Sequence, residues 1–169
     1  MHVGGVTVPR AAALASAKTY LSGRGTYGYP AYDAYDAGSN PWQVTDADLL
    51  APALLNVTPR LPAFYALGMV RPQLEQWLSQ IPLDARLEQA GTDELTLLAD
   101  LFAVLDGNDV RGVQGTTLAK IMHRKRPAFV PLYDRCIWRC YVGIDGAPIP
   151  RSDTDTAPGR SSSPSWPRP

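Results

Sequence analysis

The sequence predicts an all-α fold: a compact multi-helix bundle with a disordered C-terminal tail. Three observations carry this. Apolar residues recur at helical spacing, most clearly at Leu95, Leu98, Leu101, Phe102 and Leu105. No stretch alternates strongly enough to demand a strand, and Phe129-Val130 is too short to count. Sixteen prolines and fourteen glycines in 169 residues mark many short elements with sharp boundaries.

The first helix spans 9–22, with Pro9 at a first helical position, Gly23 as the stop, and Leu14, Ala17 and Leu21 at helical spacing. Residues 23–43 read as a loop rich in Gly and Tyr. Thr45 opens a second helix, with Asp46 and Asp48 in its first turn where carboxylates meet the positive end of the helix dipole. Leu49, Leu50, Ala53, Leu54 and Val57 are its expected buried face; Pro52 demands a new start or a kink. A helical turn at 62–68 and a helix at 71–79 follow, the latter opened by Pro72. A short helix is expected from Leu83 to Ala90. The clearest helix runs 93–106, capped by Thr92 and ended by Gly107 and Asn108. A Gly-containing turn at 111–115, a helix at 116–125, a Pro-bounded link and a helix at 132–142 complete the ordered chain. Residues 146–169 hold six Pro and five Ser, the composition of a disordered tail. The expected organisation is one domain over 1–144 and a tail over 145–169.

Hydrophobic residues make up 45% of the chain, enough for a packed core. No apolar run reaches the roughly 18 residues of a membrane span, and the N-terminus has no secretory pattern. Two cysteines make no disulfide framework. The expectation is a cytoplasmic protein with no cofactor and no membrane partner.

The net charge of zero hides a division. Arg10, Lys18 and Arg24 give residues 1–32 a charge of +3, while twelve acids against three arginines give 33–110 a charge of −9. Seven cations against Asp134 alone give 111–139 a charge of +6. A basic block of this kind is a candidate surface for nucleic acid or an acidic protein.

The helix in that block has two faces. Leu118, Ile121 and Met122 cluster on one; Lys120, His123 and Arg124 cluster on the other. With Lys125 and Arg126, the second group makes candidate phosphate contacts, because Lys and Arg release counterions when they neutralise a backbone. The turn Gly112-Val113-Gln114-Gly115 places backbone N–H groups at a helix N-terminus, a natural place for an anion.

Gly115, Ala119, Pro127 and Asp134 followed by Ile137 and Arg139 resemble the helix-hairpin-helix DNA glycosylases. The resemblance implies that Gly112, Val113 and Gly115 form a hairpin on DNA phosphate and that Asp134 occupies the catalytic carboxylate position. Thr116 and Thr117 stand where lyase-type members carry their lysine. A fuller run, Lys-x-x-His-x-Lys-Arg-Pro-x-x-x-Pro-x-Tyr-Asp, also resembles a small uncharacterised bacterial family over residues 44–142.

Each residue has a structural reading beside this. Asp134 serves equally as an acceptor at a helix start. The basic residues serve equally as a solvated face answering the acidic half. Tyr133 and Trp138 fit core or rim positions. His123, Cys136 and Cys140 supply three zinc ligands without a fourth, so two buried thiols are expected and no metal site. Two functional readings stay open: a nucleic-acid-binding module descended from a base-excision enzyme, and a non-enzymatic protein-interaction module using the basic 111–139 segment. A third is a small-metabolite enzyme using the tyrosine loop.

Overall fold

Ile121, Met122 and Leu118 lie at zero exposure on one face of a helix, and the core of the described residues is packed with that face. The computed structural model describes residues 2–22, 29–35, 40–107, 110 and 112–143. The expected tail from 145 lies outside them, as do parts of the 23–43 loop.

The regular structure of the described residues is helical apart from one small ladder. Strands β1 (His2–Val3) and β2 (Val6–Thr7) pair antiparallel, with His2 opposite Thr7. Helix α1 follows (Arg10–Leu21), then α2 (Tyr29–Ala34) and α3 (Asp46–Leu50). Helices α4 (Leu61–Met69) and α5 (Arg71–Gln80) are separated by Val70 alone. Helix α6 (Thr92–Ala103) continues as a 3-10 turn to Asp106. The central helix is α7 (Gly115–Lys125); a short α8 (Arg135–Trp138) runs into a π-turn at Arg139–Gly143.

Four expectations need correction. The 23–43 segment is not all loop, since Tyr29–Ala34 forms α2. Pro52 neither kinks nor starts an α-helix: α3 stops at Leu50 and the chain tightens into a 3-10 turn, Ala51–Leu55, that takes Pro52 near its start. Leu49 and Leu50 are consecutive on α3, about 100° apart around the helix, so Leu49 is buried while Leu50 is 51% exposed. Between Leu83 and Ala90 only a 3-10 turn, Leu87–Gln89, forms. Gly91, rather than Thr92, precedes α6, and its N–H donates to Glu94 Oε2 at 3.0 Å.

Why α3 exists despite its five residues is a matter of chemistry at one carboxylate. Asp48 Oδ2 accepts from the Thr45 N–H at 2.8 Å and the Thr45 hydroxyl at 2.9 Å, while the Thr45 hydroxyl accepts from the Asp48 N–H. The same oxygen lies 2.8 Å from Lys125 Nζ, and both side chains are almost fully buried. This ion pair fastens α3 to α7. Around it, Leu67, Leu74, Trp77, Leu78, Ile81, Leu101, Phe129 and Val130 form one continuous core.

Removing one partner of a buried pair leaves an uncompensated charge, at a cost of about 3–5 kcal/mol. Lys125→Met is expected to lose that much in urea denaturation. A loss below about 1 kcal/mol, the range of exposed pairs, would place the two charges in water instead.

Candidate functional site

The turn from α6 to α7 and the outer face of α7 hold most of the residues singled out from the sequence. Gly112 sits at φ +87°, a conformation that excludes side-chain-bearing residues, and space around it is open. Val113 is half-buried against the core, and its N–H donates to the Val110 carbonyl at 3.1 Å. Gly115 begins α7 against Leu105 and Phe102. No side chain caps this N-terminus, so its first-turn N–H groups are the donors any helix start leaves open.

Further along α7 the cations part company. Lys120 is half-buried, and its Nζ donates to the Leu55 carbonyl at 3.1 Å. Burial pushes its pKa below the usual lysine range, opposed by the Asp134 carboxylate nearby. His123 places Nδ1 2.7 Å from the Val130 carbonyl. A carbonyl only accepts, so Nδ1 carries the proton in this contact. Arg124 lies 5.2 Å and 5.1 Å from the ring centres of Tyr32 and Tyr35, and donates to the carbonyls of both residues. The Tyr32 hydroxyl returns the contact by donating to the Lys120 carbonyl.

Lys125 and Arg126 turn inward. Lys125 is spent on Asp48. Arg126 is 1% exposed, and burial lowers its pKa. Its Nε donates to Ile81 O at 2.8 Å, Nη2 to Leu78 O at 2.8 Å, and Nη1 to Pro41 O at 3.0 Å and Lys125 O at 2.8 Å. Its guanidinium stacks 4.5 Å from the centre of the Trp42 ring. Two of the acceptors belong to the end of α5, where carbonyls lack helix partners and carry the negative end of the dipole.

Asp134 is the N-cap of α8. Its Oδ1 accepts from the N–H groups of Cys136 at 2.8 Å and Ile137 at 2.9 Å. Among the described residues Oδ2 makes no hydrogen bond, and the side chain is half-buried within electrostatic reach of Lys120. The structure therefore brings Lys120 and Asp134 together, joins Arg124 to the tyrosine segment, and withdraws Lys125 and Arg126 from solvent. The thiols are not buried as expected: both are free, Cys136 exposed and Cys140 half-buried. Among the described residues no three His, Cys, Asp or Glu side chains gather as a metal site. Asp48, Tyr32 and Trp42 were missed as partners of the basic segment. One signal was present: Leu118, Ile121, Met122 and Lys125 fall at i, i+3, i+4 and i+7, which puts Lys125 on the buried face.

Two outcomes follow. Asp134→Asn removes the charge that supports protonated Lys120, so Lys120 should titrate still further below 10.5 in side-chain NMR. Because the unfolded lysine keeps its proton longer, stability should rise as pH climbs through the folded value toward the unfolded one. An unchanged Lys120 titration in the variant would separate the two groups. Arg126→Lys should cost about 1.5–3 kcal/mol, since a lysine cannot reach all four carbonyls of the guanidinium fork; thermal unfolding at wild-type temperature would contradict this.

No curated protein and no solved structure matches the chain. Among the described residues no helix is long and apolar enough to cross a membrane. A family model does match, over residues 13–162, and the chain belongs to that family of unknown function, DUF6308.

Proposed function

We propose that this chain is a nucleic-acid-binding module of helix-hairpin-helix type. The observation that carries the reading is the uncapped, glycine-bearing start of α7, with Gly112 open to solvent at positive φ and half-buried cations one and two turns further along the same helix. Backbone N–H groups of Gly115 and Thr116 are the donors for a phosphate, and Lys120, His123 and Arg124 flank the path of the next ones. Lys125 and Arg126 are framework in this reading, because both are buried, at 5% and 1% exposure. Asp134, with one oxygen locked by two N–H groups and the other open, is the carboxylate that base-release chemistry would use.

The test uses a charge that suits the helix and repels the ligand. Thr116→Glu adds a carboxylate to the first turn of α7, where the dipole favours it. Wild-type protein should retain a fluorescent DNA duplex at about 50 mM salt and release it steeply as salt rises. Thr116→Glu should lose retention at unchanged or higher melting temperature. Wild-type protein that never binds at that salt, or a variant that binds equally well, sinks the reading. If the wild type also releases bases, Asp134→Asn should abolish release while leaving duplex retention intact.

A further inference from the structure

The chain has two cysteines, four positions apart, and neither sulfur takes part in the site above. Cys136 is exposed on α8, Cys140 is half-buried in the π-turn, and both are free. Residues four apart share a face of a helix, with Cα atoms about 6 Å from one another. That lies within the span a disulfide closes. Their Cβ atoms, at about 5–6 Å on a regular helix, are wider apart than the roughly 3.5–4.5 Å of a bridge. Closing the bridge therefore draws the backbone in by about 1–2 Å.

The two ends of the pair are not held alike. Cys140 is clamped through its backbone by the N-terminal hairpin. Its carbonyl accepts from the Gly5 N–H at 2.9 Å, and a Cβ on Gly4 would overlap that oxygen. Cys136 sits in a helix of four residues, of which Arg135, Cys136 and Ile137 are exposed. Its N–H is held by Asp134 Oδ1 at 2.8 Å, and the same oxygen holds the Ile137 N–H at 2.9 Å. Cys136 is the end that moves, and moving it pulls its N–H away from Asp134.

We propose that Cys136 and Cys140 are a redox pair, closed by a small anionic disulfide of the glutathione type, and that closure releases the Asp134 carboxylate from the start of α8. Arg135 and Arg139, each next to a cysteine in sequence, are exposed and make no ion pair among the described residues. The carboxylates of such a reagent therefore meet positive charge at the exposed thiol. The Cys136 thiolate attacks one sulfur of the reagent and expels one glutathione thiolate. The Cys140 thiolate then attacks the Cys136 sulfur of the mixed disulfide and expels the second. Two electrons pass from the cysteine pair to the reagent, and the two thiol protons end on the two glutathiones released.

Oxidised glutathione added to the full chain without denaturant tests this, followed by intact mass and by NMR. The wild type should lose two hydrogens, keep no glutathione, run as a single chain on a non-reducing gel, and return to the dithiol with dithiothreitol. On closure the Cys136 and Ile137 N–H groups should exchange with solvent about fivefold faster, the size of an N-cap's contribution. Lys120 should titrate lower, as in Asp134→Asn, because the carboxylate no longer faces it in one fixed position. Cys140→Ser treated in the same way should hold one glutathione on Cys136 and leave both amides exchanging as before. Wild type that does not react, that keeps a glutathione, or that links chain to chain overturns the pair. A closed bridge that leaves the two amides or the Lys120 titration unchanged overturns the release of Asp134. All of these readouts are on the chain itself, so they stand or fall apart from DNA retention.

Discussion

Arg126 carries a positive charge into the interior with no carboxylate to meet it among the described residues. Four backbone carbonyls and one indole face do the work instead, and they come from the end of α5, the segment at Pro41 and the end of α7. Charge-assisted hydrogen bonds of this number offset the desolvation that a lone buried guanidinium would suffer. The spacing among those three parts is thereby set by the planar fork of one side chain. The two residues before it act in the same manner in other directions. Arg124 reaches α2, and Lys125 reaches α3. Three consecutive residues about 100° apart around a helix thus fasten three separate pieces of chain to α7.

This arrangement changes what a cluster of basic residues means. Within 111–139, charge on the sequence is not all charge at the surface: Lys125 and Arg126 are buried, while Arg135 and Arg139 are exposed. Of the cations on the outer face of α7, Lys120 and Arg124 are left half-buried, and each holds one internal oxygen or more. The acidic half of the chain is partly answered from within, by Lys125 on Asp48 and by Arg71 on Asp46. Buried and half-buried cations coexist in one helix, divided by helical phase.

The sequence carried the fold class and most helix boundaries, because apolar period, proline starts and capping residues are local signals. Thr45 as the cap of α3 and the ends of α5 and α7 were legible for that reason. Leu87–Gln89 and the early stop of α3 were not, since the choice between an α-helix and a 3-10 turn is made by tertiary packing. Half of the site was legible in kind. Gly112 and Asp134 hold the special backbone and capping positions their types suggest. The destinations of Arg124, Lys125 and Arg126 were not, because their partners are mostly carbonyls, and a carbonyl has no signature in a sequence. Only Lys125 could have been placed, from its phase against Leu118, Ile121 and Met122.

The polar ties to α7 also set an order of events during synthesis. Tyr32 and Lys120 are 88 positions apart, Pro41 and Arg126 are 85 apart, and Arg124 reaches 92 positions back to Tyr32. Contacts of such separation form only after long loops close. The N-terminal half therefore leaves the ribosome with its docking points empty: Asp48 without its lysine, the end of α5 without its guanidinium, the tyrosines of α2 without their cation. Until residue 126 has emerged these ties stay open, and the tertiary structure that they fasten waits on the arrival of one helix.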